Sequence, residues 1–120
     1  MSVYYPRYAS ILNIGMVITV GDYTFFHSGD MSVDPMMGDV VTLADLQGYG
    51  LPQKGIDLAF LQSYMFSVDE YVTLIENGIQ ARYVSPMHYP YPYPPTGIEE
   101  NFSNAVVFKD ILENWVVPLE

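Results

Sequence analysis

The sequence contains no cysteine and only four lysine or arginine residues among its 120. Without cysteine, neither a disulfide framework nor a thiolate metal site is possible, and a reducing cytoplasm is permitted, so a cytoplasmic protein is expected. Fourteen acidic residues give a formal net charge of −10. A charge of this sign argues against nucleic acid as a partner and against attraction to an anionic membrane surface.

Long hydrophobic runs are also missing. The longest apolar stretch, residues 11–20, is interrupted by Asn13, Gly15 and Thr19 and falls short of the ~20 residues that a membrane-spanning helix needs. The first ten residues contain one arginine and no long apolar run, unlike a secretory signal. Because half of the residues are hydrophobic and only 15% are charged, the chain is expected to fold around a core as a single domain.

Four apolar segments predict β-strands. Residues 11–20 predict a buried strand, and Gly21-Asp22 predicts a hairpin turn into a second strand at 23–26. The nearly continuous apolar run at 56–62 is typical of a strand covered on both faces, as in a parallel sheet. A fourth strand is predicted at 81–85.

Two segments predict helices. Ser67 and Glu70 have the spacing of a capping box and precede an apolar stripe, so a helix is predicted from about Val68 to Asn77, with Gly78 at its exit. Together with the strands on either side, this helix makes a βαβ unit. A shorter helix is predicted after Thr42, which can act as the N-cap, with Asp45 in the first turn.

The C-terminal third begins with alternating tyrosine and proline from Tyr89 to Pro95. These prolines exclude a central strand or helix and predict a rigid, extended loop, for which the rim of a substrate site is the functional alternative. Residues 102–115 predict either a terminal helix, with Leu112 and Trp115 turned inward, or a strand, because Val106, Val107 and Phe108 are consecutive.

Both histidines stand where an apolar strand ends. His27 is followed by Ser28, Gly29 and Asp30, and His88 follows Pro86 and Met87. Ligands bind at the carboxyl ends of strands in open α/β sheets, and one carboxylate with two imidazoles could converge on one metal ion. Because catalytic zinc usually has at least three protein ligands, these residues make only part of a site.

Each of these residues also has a structural explanation. Asp30 follows Gly29 and fits an ordinary turn. His88 fits a histidine whose ring is satisfied by the backbone near a proline-rich loop. His27 is better explained as a residue that orients the neighbouring carboxylate of Asp30 than as a metal ligand.

The order of these segments resembles the metallo-β-lactamase fold hydrolases from about Asn13 to Pro90. The shared features are NIG before an apolar strand, Gly-Asp-Tyr, FFHSGD, the strand IDLAFL, a capped helix and a strand ending in PMHY. The resemblance implies the C-terminal half of a four-layer αββα sandwich, here an α/β (α+β) half-domain with a mixed sheet and flanking helices. Residues 1–120 would be one partial domain with a proline- and tyrosine-rich loop at 89–101.

The resemblance also implies site residues and cofactors. In this family two zinc ions, less often iron or manganese, activate a bridging water for hydrolysis. Carried over, Asp30 is a bridging metal ligand and catalytic residue, His88 is a ligand to one ion, and His27 supports the site without binding metal. Tyr89 and Tyr91 would lie at the rim for an unidentified small-molecule substrate.

The chain departs from the family in its ligands. The family's H-x-H-x-D-H cluster and a histidine shortly before the first strand have no counterpart. The chain is therefore expected to be a truncated gene product, a fragment or one piece of a split protein. Two functions follow: a zinc-dependent hydrolase half-site that is inactive until an N-terminal-half partner supplies ligands, or a non-catalytic remnant or interaction module that pairs with a partner chain or forms a homo-oligomer.

Overall fold

The computed structural model describes residues 15–34, 40–89, 93–109 and 113–116. Its strands are β1 (Met16–Val20), β2 (Tyr23–His27), β3 (Leu58–Gln62) and β4 (Tyr83–Met87). They form one sheet in the order β1-β2-β3-β4, with β1 antiparallel to β2 and the other neighbours parallel. The predicted mixed sheet is confirmed, as is the hairpin, where Gly21 has a φ of 60°. Residues 11–14 of the first predicted strand lie outside the described residues.

The short helix predicted after Thr42 is confirmed as α1 (Leu43–Gly48). The hydroxyl of Thr42 accepts from the N–H of Asp45 at 3.1 Å, and the carboxylate of Asp45 accepts from the N–H of Thr42 at 2.9 Å. These reciprocal bonds satisfy backbone donors that the first turn leaves unpaired. A 3₁₀ turn (Leu51–Lys54) follows α1.

The helix predicted at Val68–Asn77 is present, but its predicted capping box is wrong. A 3₁₀ turn (Ser63–Phe66) follows β3, and α2 (Asp69–Thr73) begins after Val68, which makes no side-chain cap. Ser67 instead donates its hydroxyl to the carbonyl of Tyr64 at 3.2 Å. Because the helix begins one residue later than the sequence pattern implied, Ser67 and Glu70 no longer have the capping register.

The second half of this helix is a π segment (Leu74–Ile79), which ends at Gln80 with a φ of 53°. Gly78 lies within this segment, so its predicted role as the helix exit is wrong. A Cβ atom at Gly78 would lie 2.8 Å from Cδ1 of Leu46. The glycine is needed because the π segment and α1 approach each other closely here.

The C-terminal residues add a short helix and an extended segment. Helix α3 (Ile98–Asn101) falls inside the loop that the sequence predicted at 89–101. Ala105 forms a parallel bridge to Val84 at the outer edge of β4. Within the described part of 102–115, the predicted terminal helix is therefore absent, and the predicted strand is closer to the observed structure. Trp115 contacts the ring of Tyr83 edge-on at 4.9 Å between centroids, and Leu112 lies outside the described residues.

The two faces of the sheet differ in how they are covered. Phe26, Ala59, Leu61 and Val84 point to one face and belong to a single buried core with residues of α1 and the π segment. The opposite face, here called the second face, carries residues of all four strands: Met16, Ile18, Val20, Tyr23, Phe25, His27, Leu58, Phe60, Gln62, Tyr83, Ser85 and Met87. It is exposed at Met16, Ile18 and Val20 in β1 but buried at Leu58, Gln62 and Ser85. None of its members is an aspartate, glutamate, lysine or arginine. Among the described helices, none is long and apolar enough to cross a membrane.

Candidate functional site

The carboxyl ends of three parallel strands bring Asp30, Gln62 and His88 together. Asp30 lies three residues beyond the end of β2, Gln62 is the last residue of β3, and His88 directly follows β4. Because β2, β3 and β4 run in the same direction, these ends meet at one edge of the sheet. The sequence prediction that Asp30 and His88 share an edge agrees with this geometry.

Gln62 connects the other two residues. Its side-chain nitrogen donates to Oδ1 of Asp30 at 3.0 Å and to the carbonyl of Gly29 at 3.0 Å. Its side-chain oxygen lies 3.0 Å from Nδ1 of His88. Gln62 is 5% exposed, so this amide is removed from water and depends on its protein partners.

His88 combines an exposed side chain with an unusual backbone conformation. Its φ is 65°, in the left-handed region that costs a non-glycine residue free energy. Its ring is exposed at the surface while Nδ1 is held by Gln62. The other ring nitrogen, Nε2, is therefore the one available to a group at the sheet edge.

His27 supports the turn that carries Asp30. Its Nδ1 accepts a hydrogen bond from the N–H of Gly29 at 3.0 Å. Gly29 has a φ of 60°, which glycine adopts readily and which lets the chain turn sharply before Asp30. The buried Ser28 donates its N–H to the carbonyl of Phe60 at 3.0 Å and so fixes the same turn to β3.

Two tyrosines hold the segment that follows Asp30. The hydroxyl of Tyr64 donates to the carbonyl of Met31 at 2.6 Å, and the hydroxyl of Tyr71 accepts from the N–H of Val33 at 3.1 Å. Burial, followed by the proximity of Tyr71 and the charge of Asp30, raises the pKa of Tyr64 to about 12. The neutral phenol is therefore the form that this site maintains, so Tyr64 acts as a hydrogen-bond donor.

Of the predicted rim residues, Tyr89 lies within the structure and Tyr91 lies outside the described residues. The hydroxyl of Tyr89 donates to the carbonyl of Phe108. Burial, followed by the charge of Glu113, raises the pKa of the Tyr89 phenol. Tyr89 directly follows His88, so its bond to Phe108 connects the end of β4 to the C-terminal segment.

Two side chains at this edge are of types that can bind a metal ion. Asp30 offers a carboxylate and His88 an imidazole, both of which are ligand types for zinc. Within the described residues, however, no group of three or more histidine, cysteine or acidic side chains could hold a metal ion. Asp30 and His88 are thus two side chains of ligand type at one edge, and a zinc site there would need at least one further ligand.

Sequence reasoning missed Gln62 as a site residue. The run IDLAFLQ contains two polar residues, Asp57 near its start and Gln62 at its end. The position of Gln62 at the end of the run was the available signal. The ends of neighbouring parallel strands lie at one edge of the sheet. An amide at the end of one strand therefore lies beside Asp30 and His88, which follow the neighbouring strands.

No family model matches the chain, and no curated protein or solved structure matches it either.

Proposed function

We propose that the chain carries half of the metal site of a zinc-dependent hydrolase, with Asp30 and His88 as its two ligands. One observation carries the proposal: a buried amide, Gln62, contacts both residues at the carboxyl edge of the sheet. The resemblance of FFHSGD and PMHY to metallo-β-lactamase fold hydrolases adds the reaction class. A small molecule with a hydrolysable bond is the proposed substrate.

Each residue has a defined part in this proposal. Asp30 contributes a negative charge and carboxylate oxygens, and His88 contributes Nε2. His27 and Tyr64 keep the turn around Asp30 in place through Gly29 and Met31. When bound, zinc supplies a Lewis acid and a water whose pKa is lowered to about 7. With only two ligands, the chain alone is expected to bind zinc weakly and to hydrolyse little.

Zinc titration of the purified chain tests this proposal. Calorimetry is expected to give weak binding that is lost in Asp30→Asn and in His88→Gln. Asp22→Asn is the matched control, because Asp22 is an exposed carboxylate in the hairpin at the opposite end of β2. This control removes the same charge and is expected to leave zinc binding unchanged.

Two results would contradict the proposal. Equal zinc binding by the wild-type chain, Asp30→Asn and His88→Gln would place the metal elsewhere. Two tightly held zinc ions per chain, with hydrolysis that Asp30→Ala abolishes, would show that the half-site argument is wrong because the chain then holds a complete site.

A second candidate function is an interaction module that pairs with a copy of itself. The exposure of β1 favours it: Met16, Ile18 and Val20 are 47%, 46% and 62% exposed. Residues 16–20 contain no charge and no proline, the two features that usually protect an edge strand from pairing. Antiparallel pairing of β1 with β1 of a second copy would be self-complementary around a twofold axis and would continue the sheet.

A further inference from the structure

We infer that Gln62 is a positioning residue that selects the tautomer of His88 and so decides which ring nitrogen is offered to a ligand. This inference rests on the proposed metal-binding function for its purpose, but the tautomer itself is a property of the chain without metal. Gln62 is suited to this role because both ends of its amide are engaged and the side chain is buried.

The orientation of the Gln62 amide follows from its partners. One end faces two acceptors, the carboxylate of Asp30 and the carbonyl of Gly29, each at 3.0 Å. Only the NH₂ group can donate to both of them. The reversed amide would place its oxygen against two other oxygens, which is repulsive. The amide oxygen must therefore face His88.

The tautomer of His88 follows from this orientation. Nδ1 of His88 lies 3.0 Å from the Gln62 oxygen, which can only accept. Nδ1 must then carry the hydrogen, and neutral His88 is held with its lone pair on Nε2. Metal-binding histidines commonly donate their second ring N–H to an oxygen in this way, which fixes the ring and raises the basicity of the ligand nitrogen.

His27 provides an internal reference because its hydrogen bond requires the opposite tautomer. Its Nδ1 accepts from the backbone N–H of Gly29, so this nitrogen must be unprotonated and the hydrogen lies on Nε2. These are the two histidines of the chain. The structure therefore assigns opposite tautomers to them, although both stand at the ends of strands.

Nitrogen-15 spectroscopy of the ring nitrogens tests the inference on the chain without metal. At about pH 8.5, well above the ordinary histidine pKa of about 6.5, each ring reports which nitrogen is protonated. His88 is expected as the Nδ1–H form and His27 as the Nε2–H form, with the two signals assigned from a His27→Gln spectrum. Observation of His88 as the Nε2–H form would overturn the inference.

Gln62→Met provides the second arm, because methionine fills a similar volume but makes none of the three side-chain hydrogen bonds of Gln62. His88 is expected to lose its Nδ1–H preference, while His27 keeps its tautomer. Gln47→Met is the matched control: Gln47 is exposed in α1 and donates to the carbonyl of Asn77. Unchanged His88 nitrogen shifts in Gln62→Met would contradict the positioning role.

Zinc affinity separates failure of this inference from failure of the proposed function. If Gln62 orients a ligand, Gln62→Met should weaken zinc binding about 10–100-fold, while Gln47→Met should not change it. The predicted tautomers without any zinc binding would support the role of Gln62 and refute the metal site. Zinc binding that needs Asp30 and His88, with His88 in the Nε2–H form, would support the metal site and refute the role of Gln62.

Discussion

The hydroxyl of Tyr64 donates a 2.6 Å hydrogen bond to the backbone carbonyl of Met31, one residue beyond Asp30. Tyr64 belongs to the 3₁₀ turn that follows β3, so this bond joins the ends of β2 and β3. A side chain from the 3₁₀ turn after β3 thus holds the segment that follows Asp30. The position of the Asp30 carboxylate therefore depends on this bond from Tyr64 as well as on the turn at Gly29.

Tyr64→Phe should destabilise the chain by about 1 kcal/mol at neutral pH because one hydrogen bond is lost. The pKa of Tyr64 is raised to about 12 in the folded chain, against an ordinary value of 10.0. Its stabilising effect is thus fully present below pH 10 and is lost as the pH rises towards 12. Urea unfolding at several pH values should show the difference between wild type and Tyr64→Phe shrinking over this interval. A difference that grows above pH 10 would contradict this account.

Thr42→Ala should destabilise the chain by about 1 kcal/mol, because it removes the capping bond to Asp45. Ser67→Ala provides the comparison, since Ser67 had the capping pattern in the sequence but caps no helix. Its exposed hydroxyl donates to the carbonyl of Tyr64, so the loss should be smaller. Denaturant unfolding of both variants measures the difference, and a larger loss for Ser67→Ala would refute the assigned caps.

The contrast between Thr42 and Ser67 shows how far local sequence predicted this fold. Both residues are followed by an acidic residue at the capping distance, and only Thr42 is used. The 3₁₀ turn after β3 uses the hydroxyl of Ser67 and delays the helix, which no local pattern reveals. The hairpin at Gly21 was predictable because its turn chemistry lies within neighbouring residues.

Gly78→Ala should destabilise the chain by about 1–3 kcal/mol because the added methyl group would overlap Leu46. Gly48→Ala is the matched control, since a Cβ at this α1 position meets nothing within 4 Å. In a helix, this second change should stabilise by about 0.5–1 kcal/mol. Thermal and urea unfolding compare the two variants. Equal effects would mean that the close approach of α1 to the π segment is incorrect.

Self-association through β1 should be sensitive to charge. Ile18→Lys places a charge at an exposed position in the middle of β1 and is expected to convert an associated wild-type chain to a monomer. Thr73→Lys is a charge-matched control at an exposed position of helix α2. Light scattering at high micromolar concentration measures both. A monodisperse, cooperatively melting wild-type monomer would rule out the interaction-module candidate.

The candidate site was only partly predictable. Asp30 and His88 could be placed because each follows an apolar strand, and parallel strands bring such ends together. Gln62 could not be assigned a role, since its contacts depend on the rotamer of its side chain between two neighbouring strands. The positive φ of His88 was equally hidden, because no glycine or asparagine marks that position.

The most direct test of the proposed half-site is the anomalous scattering of zinc in a crystal of the chain soaked with zinc. The proposal predicts one peak at the carboxyl edge of the sheet, about 2.0–2.2 Å from Nε2 of His88 and from a carboxylate oxygen of Asp30. Nδ1 of His88 should remain hydrogen-bonded to Gln62 in that crystal. A zinc ion bound elsewhere, or one bound through Nδ1 with Gln62 displaced, would contradict the account.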